Sequence, residues 1–214
     1  MTDSKLRDDI CFWAASLFQR GLTGGASGNI SVRTEDGGLL VTPTGVSMGR
    51  LDPARLSRFD VAGNHIDGDL PTKEMPLHSA FYETRTGAGA VVHLHSTHSV
   101  ALSMLPETDP NDALPPLTAY AVMRVGRVAL LPFFVPGDPA MGDAVRGLAG
   151  RRSAVLLANH GPVVAAKDLE AAVFAMEELE ETARLALLLR GTGARSLNTD
   201  QIDVVVRKFN VEWD

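Results

Sequence analysis

Two histidines one residue apart, His93 and His95, close the apolar run 90–95, Ala-Val-Val-His-Leu-His. In an extended strand residues i and i+2 face the same way, so both imidazoles converge on one point. His160 follows a second apolar run, 154–158, inside the turn Asn159-His160-Gly161-Pro162, and Glu74 lies upstream in Pro71-Thr72-Lys73-Glu74. Three imidazoles and a carboxylate suit zinc or a similar first-row divalent ion, with a position left for substrate. The HxH pair alone fits a satisfied pair of core histidines equally well. Glu74 has two roles open to it beside a dication: a ligand or, once displaced by substrate, a base that moves protons. Its bland alternative is a surface acid at a helix start, where acids are favoured.

Ser27-Gly28-Asn29 and Pro43-Thr44-Gly45 offer backbone N–H groups, hydroxyls and small side chains near strand ends. Such loops can form concave nests for phosphate oxygens, although either loop alone also reads as a plain turn. Neither matches the Walker or dinucleotide fingerprint, which removes support for nucleotide binding. Lys73 serves as a second anion contact or as a solvated surface cation. Tyr120 offers a phenolic proton donor. His98 is expected to turn away from the pair at a helix start and to act behind it or in packing. His65 and His78 lack metal-like spacing and are expected to stay uninvolved.

The elements that must position these residues follow from periodicity. Leu6, Ile10, Trp13 and Leu17 recur at helical spacing, predicting a helix over 3–20 that ends before Gly21. The glycine-rich 21–29 is a loop, 30–33 a strand, Asp36-Gly37-Gly38 a hairpin turn and 39–42 its return strand. Asp52-Pro53 starts a short helix and 62–64 is a turn. Pro76 opens a helix to about residue 85, since proline suits a first turn. A short helix over 97–104, a long irregular connection over 106–127, a strand over 128–131 and a helix over 139–149 follow. Asp168 caps a long helix over 169–190, and Thr199 caps a last one ending near Lys208. Tight turns between several strands force antiparallel pairing. The expectation is one α/β domain over 1–214, a mixed, largely antiparallel sheet with helices on both faces.

With 214 residues and 45% hydrophobic content, the chain can bury one sizeable core. A net charge of −6 argues against nucleic acid as a partner. No apolar run reaches the ~18 residues that span a bilayer, and the first 20 residues interleave acids with apolar residues, unlike a secretory signal. Single Cys11 fits a reducing cytoplasm and a packing role within the first helix.

Taken in order, GLTGGASGNISVR at 21–33, TPTG at 42–45, PTKEMPLH at 71–78, VVHLHSTH at 91–98 and LANHGPVV at 157–164 resemble the class II aldolase/adducin family. The likeness runs from Gly21 to about Arg190, and fuculose phosphate aldolase is the family's type member. It implies metal histidines at His93, His95 and His160, a catalytic acid/base at Glu74, and phosphate contacts at Gly28, Asn29, Thr44, Gly45 and Thr72. It also implies an intersubunit tyrosine, here Tyr120, and a homotetramer with sites between subunits.

Lys73 departs from the aldolase pattern, which has a second hydroxyl residue there. The stretches around residues 71–85, 93–106 and 157–175 look closest to the 3-oxo-tetronate 4-phosphate decarboxylases. That resemblance implies zinc-dependent loss of CO2 from a four-carbon keto-acid phosphate, leaving dihydroxyacetone phosphate through an enediolate. A sugar-phosphate aldolase or epimerase shares that intermediate and is the alternative. An adducin-like scaffold without catalysis is the non-enzyme alternative, although it would be expected to lose the histidines or the acid. Lys73 offers a cation for the substrate carboxylate.

Overall fold

In the computed structural model, which describes residues 3–213, eight strands form one sheet in the order β4-β3-β2-β1-β5-β8-β7-β6. The strands are β1 (Asn29–Arg33), β2 (Leu39–Val41), β3 (Ser57–Phe59), β4 (His65–Asp67), β5 (Ala90–His93), β6 (Val128–Leu131), β7 (Ala154–Leu157) and β8 (Gly161–Ala166). Every pairing is antiparallel except β6 with β7. That parallel pair needs a crossover, and α5 (Ala140–Gly147) supplies it. The remaining helices are α1 (Asp3–Gln19), α2 (Met75–Thr84), α3 (Thr97–Ser103), α4 (Ala119–Arg124), α6 (Leu169–Leu188) and α7 (Thr199–Phe209).

Strand alternation assigns side chains to two cores. Ala90 and Val92 of β5, Ala154 and Leu156 of β7 and Val164 of β8 pack in one core with Leu6, Ile10 and Leu17 of α1 and Val173, Met176 and Leu179 of α6. Their neighbours Val91, Val155, Leu157, Val163 and Ala165 face the other way, onto Leu77, Ala80 and Phe81 of α2 and Met141 and Val145 of α5. Helices therefore cover both faces, as the turn signals and periodicities predict. Each fully buried Leu, Ile or Phe contributes about 1.5–3 kcal/mol over exposure. Two such cores can hold a costly polar group rigidly between them.

Several boundaries differ from the sequence expectation. Residues 119–124 of the supposed irregular connection form α4, whose first turn is capped by Thr118 Oγ1, accepting from Ala121 N. Strands β3 and β4 flank the expected turn at 62–64, but β4 is exposed throughout and carries no apolar alternation. Strand β8 begins inside the Gly161-Pro162 turn signal. Asn198, not Thr199, caps α7 and forms a capping box with Gln201. The short helix after Asp52 is a single 3-10 turn, Pro53–Arg55. Asp168 does cap α6, its side chain accepting from Ala171 N. Cys11 is partly buried, and burial pushes its thiol up to about 11, in keeping with packing rather than reactivity. No helix among the described residues is long and apolar enough to cross a membrane.

Candidate active site

Strand β5 ends at His93, so His95 lies two residues on, in the link to α3 rather than in the strand. The pair converges all the same, with 3.2 Å between the two Nε2 atoms. His160 comes from the turn between β7 and β8, where Asn159 takes a left-handed conformation at φ 58° and donates its N–H to Ser103 Oγ of α3. Gly161 sits so close to β5 that a Cβ there would collide with the Leu94 carbonyl oxygen. That approach brings His160 Nε2 to 3.3 Å from His93 Nε2. Glu74, just ahead of α2, completes the cluster: its Oε2 lies 3.3 Å from His93 Nε2 and its Oε1 3.2 Å from His160 Nε2.

The donor and acceptor pattern decides what this cluster can hold. His93 Nδ1 lies 2.9 Å from the Pro162 carbonyl, an acceptor, so Nδ1 carries the proton and Nε2 presents a lone pair. Burial, eased by Glu74, pushes His93 down to about 4, and burial also lowers His95, so both rings are neutral. Burial alone would raise Glu74, yet His160, His93 and the amide of Asn29 outweigh it and hold the carboxyl ionised. Glu74 is only 6% exposed, and an uncompensated charge buried that deeply costs several kcal/mol.

Of four buried side-chain atoms without a hydrogen-bond partner among the described residues, two belong to this cluster and one to the adjoining Ser96: Glu74 Oε1, His160 Nδ1 and Ser96 Oγ. Lone pairs and a carboxylate facing one another call for a cation. Zinc-to-nitrogen bonds of about 2.0–2.1 Å in a tetrahedron place the nitrogens roughly 3.3 Å apart. The 3.2 and 3.3 Å separations here match. His93, His95 and His160 are the one group of three metal-competent side chains among the described residues. The residues fit a divalent metal.

An open cleft of about 260 Å³ leads to the cluster, lined by Ser27, Gly28, Asn29, Thr44, Gly45, Thr72, Lys73, Glu74, His95 and His160, with Pro136 at its edge. Larger clefts lie at the other end of α2 and β8, around Arg85 and Lys167. They hold no convergent ligand set. Pro43 and Pro71 form an isolated bridge that brings the 42–45 and 71–74 segments side by side. Gly28, at φ 82°, packs under the end of β5, where a Cβ would press on the His93 carbonyl. Thr72 is buried, Lys73 exposed and Glu74 buried, so Lys73 projects at the rim while its neighbours face inward.

The remaining candidates fall elsewhere. Tyr120 is 57% exposed on α4 and does not line this cleft in its own chain. His98 Nδ1 pairs with Glu180 Oε1 at 2.8 Å behind His95, as a supporting residue would. His65 is exposed on β4. His78, expected to stay uninvolved, lies outside the metal-competent group but next to it. It is fully buried and hydrogen-bonds Asn29 Oδ1 at 2.5 Å, and the Asn29 amide in turn donates to Glu74 Oε2 at 2.7 Å. Metal-like spacing does not single it out. The signal was the four-residue step Glu74, His78, Tyr82 along one helix face.

A mixed sheet with a metal-compatible His₃–Glu cluster beside an open cleft is the arrangement of an enzyme of the class II aldolase type. The model of the Class II Aldolase and Adducin N-terminal domain matches residues 8–187, and the chain belongs to that family. It is 46% identical over 201 residues to the 3-oxo-tetronate 4-phosphate decarboxylase of Pectobacterium atrosepticum, covering 94% of this chain and 92% of that one. It is 32% identical to the L-fuculose phosphate aldolase of Escherichia coli, over 98% and 96% of the two chains. Among solved structures, YgbL from Escherichia coli superposes with a TM-score of 0.92 at 43% identity, covering 95% of this chain and 98% of that one.

Proposed function

We propose that this chain decarboxylates a 3-oxo-tetronate 4-phosphate to dihydroxyacetone phosphate and CO2. The observation that carries the reading is Lys73, an exposed cation at the rim of a cleft lined by Glu74, His95 and His160, with His93 buried behind them. A keto-acid substrate brings a carboxylate that an aldolase substrate lacks, and Lys73 answers it. The 46% identity to a decarboxylase, against 32% to an aldolase, supports the same choice.

The phosphate enters between Ser27-Gly28-Asn29, Thr44-Gly45 and Thr72, where small residues let backbone donors approach an anion. Lys73 holds the carboxylate as a flexible point charge. It does not lock it, because that charge must disperse as CO2 leaves. Breaking the C1–C2 bond leaves an electron pair on C2, and a proton must be delivered there. Glu74 relays that proton from the solvent-open cleft, a role supported by its buried Oε1, which has no hydrogen-bond partner. His93, His95 and His160 would hold Zn2+, or another first-row divalent ion, which supplies electrophilic stabilisation of the developing oxyanion. Tyr120, exposed and outside its own chain's cleft, is assigned to the cleft of a neighbouring subunit in a homotetramer. A cytoplasmic setting is in keeping with the single cysteine.

The test is a coupled assay for dihydroxyacetone phosphate from 3-oxo-tetronate 4-phosphate, run beside fuculose 1-phosphate. Turnover of the keto acid with none of the ketose phosphate is the expected result. The reverse preference would assign the chain to the aldolases.

A further inference from the structure

A row of buried polar groups runs between β1 and α2 from Glu74 inward, and its members Ser31, His78 and Tyr82 lie outside the cleft lining. Asn29 and Ser31 are alternate residues of β1 and face α2 together. Glu74, His78 and Tyr82 recur every four residues and face back. The contacts link them in series. Tyr82 Oη donates to the Ser31 carbonyl at 2.9 Å, and Ser31 Oγ lies 2.7 Å from His78 Nδ1. His78 Nε2 lies 2.5 Å from Asn29 Oδ1, and Asn29 Nδ2 donates to Glu74 Oε2 at 2.7 Å.

The carboxylate sets the direction of the whole row. An ionised Glu74 only accepts, so the Asn29 amide must turn its nitrogen toward Oε2 and its oxygen toward His78. His78 must then carry its proton on Nε2 and accept at Nδ1 from the Ser31 hydroxyl. Burial keeps His78 neutral, pushed down to about 3, and burial likewise pushes the Tyr82 phenol up, so Glu74 is the one charged member of the row. His93, whose proton is on Nδ1, has the opposite tautomer.

We propose that His78 is a positioning residue: its Nε2–H fixes the Asn29 amide, which grips Glu74 Oε2 and leaves Oε1 as the oxygen that handles the proton. Without the His78 donor, the Asn29 amide can rotate and present its oxygen to the carboxylate. Glu74 would then lose its anchor while the three histidines stayed in place. This inference rests on reading Glu74 as the acid/base, so its test includes a measurement that needs no turnover.

Nitrogen-15 NMR of the histidine rings in the wild-type protein should show His78 as a neutral Nε2–H tautomer from pH 5 to 9. An Nδ1–H tautomer overturns the proposal whether or not the decarboxylase assay succeeds. In kinetics, His78→Gln keeps an amide donor near the Nε2 position and should retain kcat within about threefold. His78→Asn places its amide near Nδ1, leaves Asn29 without a donor, and should lower kcat on the order of 10- to 100-fold. KM and the bound metal per chain should not change. In a Glu74→Gln background, His78→Asn should change kcat less than about twofold, because His78 acts only through that carboxylate. Equal losses in the Gln and Asn variants, an undiminished loss in the Glu74→Gln background, or loss of metal alongside kcat would each make His78 a core residue and no more.

Discussion

Asn29 of β1 and His93 of β5 are direct partners across an antiparallel pair, so the residue that holds the Glu74 carboxylate and the innermost histidine share one rung of the sheet. His93 is paired on its other side with Val163 of β8, two residues after Gly161. Main-chain pairing of three central strands thereby fixes His93 relative to Asn29 and to the start of β8.

His93→Ala should abolish metal binding and turnover together. An ion that binds only the native chain stabilises it by about 4 kcal/mol at a thousandfold excess over its Kd. Treatment of the wild type with a chelator should therefore lower Tm, and the same treatment should leave His93→Ala unchanged. Elemental analysis that finds a full metal complement in the variant would remove His93 from the ligand set.

Glu74→Gln should keep most of the metal, since the three imidazoles remain, yet lose on the order of 10²–10⁴ in kcat. The amide preserves the shape and cannot relay a proton. Wild-type turnover in this variant would reduce Glu74 to a residue that only positions.

Lys73→Ser should impair turnover of the keto-acid phosphate far more than binding of a phosphorylated analogue without the carboxylate. Isothermal titration with the analogue and steady-state kinetics with the substrate separate the two. A parallel loss of about 1–3 kcal/mol in both would make Lys73 a plain phosphate contact.

Gly161→Ala should cost about 1–3 kcal/mol of stability, because a methyl group has no room against the Leu94 carbonyl and the strand must shift. His160 immediately precedes that strand, so metal affinity should fall with the denaturation midpoint. A variant with unchanged midpoint and affinity would show that the approach of β8 to β5 is not needed to place His160.

Glu180 of α6 accepts from the backbone N–H groups of His98 and Ser99 and from both side chains, capping α3 just beyond His95. Burial would raise its pKa, but these donors outweigh burial and lower it. Its contribution is therefore complete above the unfolded carboxyl value of about 4.3 and fades as pH falls toward the lower folded value. Glu180→Gln should be least stable relative to wild type near neutrality, by about 1–3 kcal/mol, with the gap narrowing in acid. A gap that stays constant down to pH 3 would contradict this.

The parts of the fold that were legible in the sequence are those with strong local chemistry. Proline at Pro76, the Asp168 cap and the glycine after α1 each mark a helix end by a backbone requirement that tertiary contacts do not override. The strands that went unread lack such marks. Residues 65–67 lie exposed at the sheet edge, where no buried face imposes alternation. The segment 161–166 begins with Gly-Pro, a turn signal, yet Pro162 is tolerated beside the short β7 pairing. In the site, convergence of His93, His95, His160 and Glu74 was foreseeable from spacing and resemblance. The contact of His78 with Asn29 was not, since it joins β1 and α2 across a sequence separation of 49.

The inward–outward–inward order of Thr72, Lys73 and Glu74 separates two kinds of selection pressure at adjacent codons. Position 74 is bound into the protein interior through Asn29, and few changes there can leave a working centre. Position 73 borders solvent, so a hydroxyl, an amine or a larger side chain can occupy it without disturbing either core. With the role proposed for Lys73, a lineage could exchange one carbon–carbon cleavage for another through a single rim substitution. The fold would carry almost none of the cost, and new chemistry would be reachable by drift rather than by redesign.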